Sequence, residues 1–370
     1  MTVKEEKEAK KKVLSALRLS RILIPILIGI GTVTFLFFRN FDADELTKLN
    51  WTITSLFWIF AALGFLACRV LSYALRLKML SGGAFSFLKC IELIFIWEFS
   101  SAVSPTNVGG SAVALFVLSR EKIGAAKTTA IVVYTIVLDS IFFLISIPLW
   151  LLLFGPKILG PSYDQLSFSA GWSITLGTAY ILMLLYGSFF FYGLFINPEP
   201  LKRLSLFLSR LKMLSRYKSQ LINLGKDLKT TSKELYKQNF RFHLKVYLAS
   251  AAAWSSRFLL LCCLIIGLVP GISLHFWNVL EIFARIQTLF LIMAFSPTPG
   301  SSGFAELIFG ELLSDYVPFG VSYIIAMIWR TMAYYFFLLV GVIVLPNWLN
   351  KVLKARRLKR TSARASESRD

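Results

Sequence analysis

Imidazole and carboxylate are scarce in this chain: two histidines and twenty acids stand among 370 residues, against forty lysines and arginines. His243 and His275 both sit near the ends of apolar runs, so a histidine-based metal centre is not expected. The four cysteines, Cys68, Cys90, Cys262 and Cys263, fall within or beside apolar helices, and the adjacent pair lacks metal-ligand spacing. Packing is their expected role. The sequence has no nucleotide-binding loop, and its scattered carboxylates form no convincing catalytic triad. No metal, no cofactor and no catalytic residue is therefore expected.

What the chain has in abundance is apolar length. The hydrophobic fraction is 56%, with 33 phenylalanines. Runs extend from Ile22 to Phe38, Thr52 to Leu75, Lys127 to Phe154, Phe168 to Phe195, Leu244 to Leu268 and Pro318 to Leu345. Each approaches or exceeds the ~20 residues that cross ~30 Å of hydrocarbon. The first is followed by Arg39, Asn40 and Phe41 rather than a small-residue cleavage site, so it reads as a span and not as a signal peptide.

The net charge of +20 would suit nucleic acid if it were spread over one surface, but it is not. Bases collect in the N-terminal tail, in Lys202 to Lys245 and in the tail from Lys351, while the other loops are sparse or acidic. This asymmetry predicts both termini on the cytoplasmic side of a bacterial cytoplasmic membrane, with the basic segments resting on anionic headgroups and no nucleic-acid partner. Between 196 and 243, Leu201, Leu204, Phe207, Leu208, Leu211 and Leu214 alternate with bases at helical spacing, which predicts an amphipathic linker in the interface.

Two further apolar runs are broken by small and polar residues: SPTNVGGSA at Ser104 to Ala112 and SPTPGSSGFAE at Ser296 to Glu306. At membrane depth, backbone leaves the helix only where protein or a water-filled cavity satisfies it, so such breaks mark the functional centre of a transporter. Charge placement makes each broken run a re-entrant helical hairpin, 88–118 and 278–313, entering from opposite faces. The expected fold is an all-α polytopic membrane protein with about six full spans and two opposed hairpins in an inverted repeat. Its parts are a basic tail (1–20), a first half (21–195), the basic linker (196–243), a second half (244–346) and a second basic tail (347–370). From Pro105 to Asp139 is 34 residues, and from Pro297 to Arg330 is 33. By the same spacing Glu92 corresponds to Arg285.

Charges inside spans are costly and mark interior cavities or ion pairs. Arg257 and Arg330 are central in their runs, as is Asp139, and pseudo-symmetry makes Arg330 with Asp139 the expected pair, whether a transport element or a structural one. Two arginines against one acid leave a surplus suited to an anion, and guanidinium grips phosphate with two prongs. Hairpin helix N-termini offer backbone N–H groups to the same anion, with Asn107, Gly109, Gly110 and Ser111 in one break. Thr298, Gly300, Ser301, Ser302 and Gly303 line the other, and Glu306 reads either as part of the site or as a capping carboxylate. Glu98, nearer a span end, is a weaker candidate.

At these residues the chain resembles the transmembrane, flippase-like region of lysylphosphatidylglycerol synthases. Pro297, Thr298, Pro299, Gly300, Gly303 and Glu306 follow that family's PTPGG-x-G-x-x-E pattern, with Ser301 in place of the second glycine. Pro105, Gly109 and Gly110 follow its first element, with Ser104 and Ala112 as departures. The resemblance implies translocation between leaflets of a phospholipid, aminoacylated phosphatidylglycerol or another phosphate-bearing lipid. Those synthases carry a soluble aminoacyl-transferase domain after the membrane region, and this chain ends at Asp370, so enzymatic synthase activity is not expected. The alternatives from the residues are a membrane enzyme acting on lipid-linked substrates, or a scaffold for a lipid-synthesising partner. Self-association is compatible with either.

Overall fold

The computed structural model describes residues 46–103, 114–115, 117–121, 123–161, 166–210, 235–296, 298, 301 and 303–367. The run Ile22 to Phe38 and the first break, with Asn107, Gly109, Gly110 and Ser111, lie outside the described residues, as do Gly300 and Ser302. The described chain folds as helices: α1 (Ile53–Leu80), α2 (Phe87–Val103), α3 (Ala125–Phe154), α4 (Leu166–Phe191), α5 (Glu199–Arg210), α6 (Phe240–Leu268), α7 (Phe276–Met293), α8 (Phe304–Leu312), α9 (Phe319–Arg330) and α10 (Phe336–Glu367). Among the described residues six segments are long and apolar enough to cross a membrane: Ile53–Leu80, Lys127–Leu159, Ser173–Ile196, Phe240–Leu268, Phe276–Met293 and Gly320–Val352. Five of them coincide with spans expected from the sequence. The sixth is α7, assigned above to a hairpin arm; its 18 residues reach about 27 Å, close to the hydrocarbon thickness.

Packing between these helices is reciprocal. Among the described elements α1 and α6 share the longest interface; α2 packs on α1 and α10, and α7 packs on α6 and α3. Close approach needs small residues where lipid supplies no hydrophobic drive. Gly341 of α10 lies against the Phe99 ring of α2, and Gly267 of α6 lies against Trp58 of α1, where any Cβ would collide. Polar side chains tie the reciprocal pair α7 and α3: Trp150 Nε1 donates to Gln287 Oε1 at 2.7 Å, and Gln287 Nε2 donates to Ser146 Oγ.

Each broken run is clasped at its base by ions. Lys89 at the start of α2 meets Glu92 and Glu121, both at 2.9 Å, the latter beyond the break. Arg285 of α7 meets Glu281 at 2.5 Å and Asp315, beyond its own break, at 2.6 Å. In both broken runs a cation near one end of the helix before the break pairs with an acid beyond it: Lys89 with Glu121, and Arg285 with Asp315. Burial first and the Glu281 carboxylate second push the nearby Tyr316 phenol up to about 12, so it remains a hydrogen-bond donor at neutral pH.

The linker begins as expected. In α5, Leu201 turns inward against Gly193 while Phe207 stays exposed, the face an interfacial helix buries in headgroups.

Candidate functional site

Helix α1 runs five residues past Leu75, the end expected from hydropathy, and this carries Arg76 into the protein. There Arg76 Nη1 contacts Asp139 Oδ1 at 2.6 Å and donates to Ser250 Oγ at 3.0 Å. Asp139 therefore does not hold Arg330. The pairing expected from pseudo-symmetry is corrected: Asp139 is held by Arg76, which α1 carries inward past the end of its apolar run.

Arg330 instead faces Glu306, Nε to Oε1 at 3.1 Å, with both side chains 4% exposed. The other oxygen of Glu306 accepts the Gly303 N–H at 2.7 Å, so the same carboxylate caps α8 and neutralises a buried guanidinium. A π-helical segment, Thr331–Tyr335, follows Arg330 at once. Such insertions re-aim side chains at functional sites. Here Tyr334 stacks on the Arg330 guanidinium, 4.6 Å from ring centroid to Cζ, and donates its hydroxyl to the Ala102 carbonyl of α2 at 3.1 Å.

A second cluster adjoins it. Glu98 of α2 bridges Arg69 of α1 and Arg257 of α6, the latter at 3.3 Å. Arg69 is 2% exposed, and its guanidinium lies over the Phe337 ring; that of Arg257 lies over Trp254 at 4.8 Å. Between the clusters is a cavity of about 110 Å³, lined by Arg69, Glu98, Arg257, Arg330 and Ser301 with a wall of aromatic rings. Helices α1, α2, α6, α7, α9 and α10 all contribute lining residues.

Of the site residues expected from the sequence, Arg257, Arg330 and Ser301 line this cavity, and Gly303 and Glu306 adjoin it. Thr298 pairs its hydroxyl with Ser296 at 3.0 Å. Asp139 is engaged by Arg76 instead. Sequence reasoning passed over Arg69 and ranked Glu98 too low. A signal was available: Arg69, Tyr73 and Arg76 recur at four and three on one face of an apolar helix, a polar stripe that only an interior can accept.

Ser301 stands where the motif's glycine is usual, and its backbone shows why glycine is the usual choice: φ is 56°, the left-handed region. Its hydroxyl repays part of that strain by donating to the Met293 carbonyl at 3.1 Å, closing the turn after α7. Ser301→Ala keeps the strain and loses the bond, so it is expected to cost about 1 kcal/mol. Ser301→Gly loses both and should remain within roughly 0.5 kcal/mol of the parent. Thermal unfolding of the two variants in detergent checks the ordering.

Residues 22–341 match the family described as the lysylphosphatidylglycerol synthase TM region. A protein of Archaeoglobus fulgidus described as a UPF0104 membrane protein is 25% identical over 334 residues, covering 87% of this chain and 95% of its own length. No solved structure matches.

Proposed function

The chain belongs to the lysylphosphatidylglycerol synthase transmembrane-region family, and from that premise we propose that it carries a phosphate-bearing lipid between leaflets through the arginine-lined cavity. One observation carries the reading: three guanidiniums, Arg69, Arg257 and Arg330, gather inside an apolar helical body around a cavity, where Glu98 and Glu306 are the carboxylates they meet among the described residues. A charge buried at that cost is retained where an anion must pass. Phosphate is the lipid group whose paired oxygens the planar guanidinium fork grips best. Glu306 already serves the α8 N-terminus, so the arginines take the larger share of the phosphate and the hairpin N–H groups the smaller.

The reciprocal packing of α1, α2 and α10 with α6, α7 and α3 supports an inverted repeat whose two broken runs enter from opposite faces. The ion clasps at Lys89 and Arg285 then sit at opposite mouths, and alternating release of one and the other opens the path to each leaflet. In this reading both termini are cytoplasmic, the membrane is a bacterial cytoplasmic one, and the basic linker and tail rest on anionic headgroups or a lipid-synthesising partner. Both carboxylates at the cavity are committed to guanidinium, which favours transport over acid–base chemistry at this site.

Reconstitution tests the reading. Vesicles holding the full chain and headgroup-labelled phosphatidylglycerol are treated with an external quencher. Label in the inner leaflet becomes accessible if the protein moves lipid. Inner-leaflet protection equal to that of protein-free vesicles overturns the proposal.

A further inference from the structure

The ion clasp of the first broken run has a further arm, supplied by α10. Trp348 is 1% exposed and donates its Nε1 to Glu121 Oε1 at 2.6 Å, the oxygen that also meets Lys89 at 2.9 Å. One turn on, Lys351 Nζ meets Glu92 Oε1 at 3.4 Å, while Glu92 Oε2 meets Lys89 at 2.9 Å. The spacing of three puts Trp348 and Lys351 on one face of α10, turned to the base of α2. Glu121, Lys89, Glu92 and Lys351 thus form a row of alternating sign that ties the segment beyond the break, α2 and α10 together.

The two residues of α10 differ in access. Trp348 is buried, whereas the Lys351 side chain is 71% exposed. Lys351 also stands at the end of the apolar segment Gly320–Val352, where a span meets the headgroups. Beyond it the helix continues to Glu367, and its sequence adds Lys354, Arg356, Arg357, Lys359 and Arg360. A basic cluster that directly follows a span is drawn to an anionic leaflet. The same helix reaches the cavity with Phe337 and packs Gly341 against Phe99 of α2.

We infer that the anionic lipid surface at this end of the protein loosens the first clasp, and that Lys351 is the residue that reads it. Headgroup phosphates draw Lys351 from Glu92 and repel the carboxylates of Glu92 and Glu121. Glu92, released by Lys351, then engages Lys89 alone, at the expense of the Lys89–Glu121 contact that spans the break. An exposed ion pair contributes little, so the response is graded, about two- to fivefold in the population of the open clasp. The inference rests on the reading of this clasp as one mouth of the lipid path. It adds what governs that mouth: the charge of the surrounding surface.

Cys90 supplies a readout that does not depend on transport. It follows Lys89 directly, is buried and carries a free thiol. Its alkylation by a water-soluble maleimide, read by mass spectrometry of peptides from the full chain, reports loosening of the base of α2. The protein is compared in vesicles of phosphatidylcholine and of phosphatidylcholine with phosphatidylserine, each with a trace of labelled phosphatidylglycerol. Phosphatidylserine is expected to speed Cys90 alkylation about two- to fivefold in the parent, and high salt to remove most of that gain. Lys351→Gln should react faster than the parent in phosphatidylcholine and gain little from phosphatidylserine, although the bases from Lys354 onward remain. An equal gain in Lys351→Gln overturns the inference, as does a parent rate that fails to rise with phosphatidylserine. Flipping of the trace label in the same vesicles separates the two readings. The expected alkylation pattern without flipping counts against translocation alone. Flipping with a Cys90 rate indifferent to phosphatidylserine counts against the inference alone.

Discussion

Arg330→Ala is expected to bring lipid flipping down to the rate of protein-free vesicles and to lower the stability of the protein at the same time. Removing one member of a pair whose two side chains are 4% exposed leaves Glu306 charged, buried and without its partner. That situation costs about 3–5 kcal/mol, far more than the pair itself contributes. The two losses have separate origins, and a second substitution separates them. In Arg330→Ala/Glu306→Gln the stranded charge is gone, while the amide oxygen can still accept the Gly303 N–H and cap α8. The double variant should recover most of the lost thermal stability and none of the flipping. If it flips lipid like the parent, Arg330 is a structural partner of Glu306 and not part of the transport path.

Glu98→Gln carries the second large effect, with opposite sign for ligand and fold. The carboxylate bridges two guanidiniums, Arg69 and Arg257, that come from different helices and would otherwise repel each other. Neutralising it is expected to cost about 3 kcal/mol of stability in the absence of lipid. It also raises the positive charge of the cavity by one, so an anionic lipid replaces what the mutation removed. Phosphatidylglycerol should therefore raise the unfolding temperature of Glu98→Gln by more than it raises that of the parent, while flipping slows because release becomes harder. A smaller lipid-induced rise in the variant would show that Glu98 itself takes part in holding the lipid, rather than competing with it.

The helical body was legible because a membrane enforces it: each span must be apolar over a length set by the bilayer, and α1, α3, α4, α6 and α10 announce themselves that way. Arg257 and Arg330 were legible for the same reason, since a central arginine in such a run has to face inward. Their partners were not. Which carboxylate meets which guanidinium depends on helix rotation and depth, and hydropathy carries neither. Thus Asp139 was matched to Arg330 by spacing, whereas packing matched it to Arg76, two turns beyond the overlooked Arg69. Glu306 was read as either a cap or a site residue; its two oxygens do one task each. Ser301 shows the reverse case, a substitution within a motif that reads as a departure in sequence and proves, in structure, to be a strained residue held by its own hydroxyl.

The central claim is that the cavity arginines carry the lipid phosphate across the membrane. It is tested most directly by the flipping rate of labelled phosphatidylglycerol in vesicles holding either the parent protein or Arg257→Gln. Arg257 makes the longest of the cavity's ion contacts, at 3.3 Å, and is 20% exposed, so this variant disturbs the fold least. Parent vesicles should expose inner-leaflet label to the quencher, and Arg257→Gln vesicles with equal amounts of folded protein should expose it at least about tenfold more slowly. Equal rates in the two preparations would contradict the account.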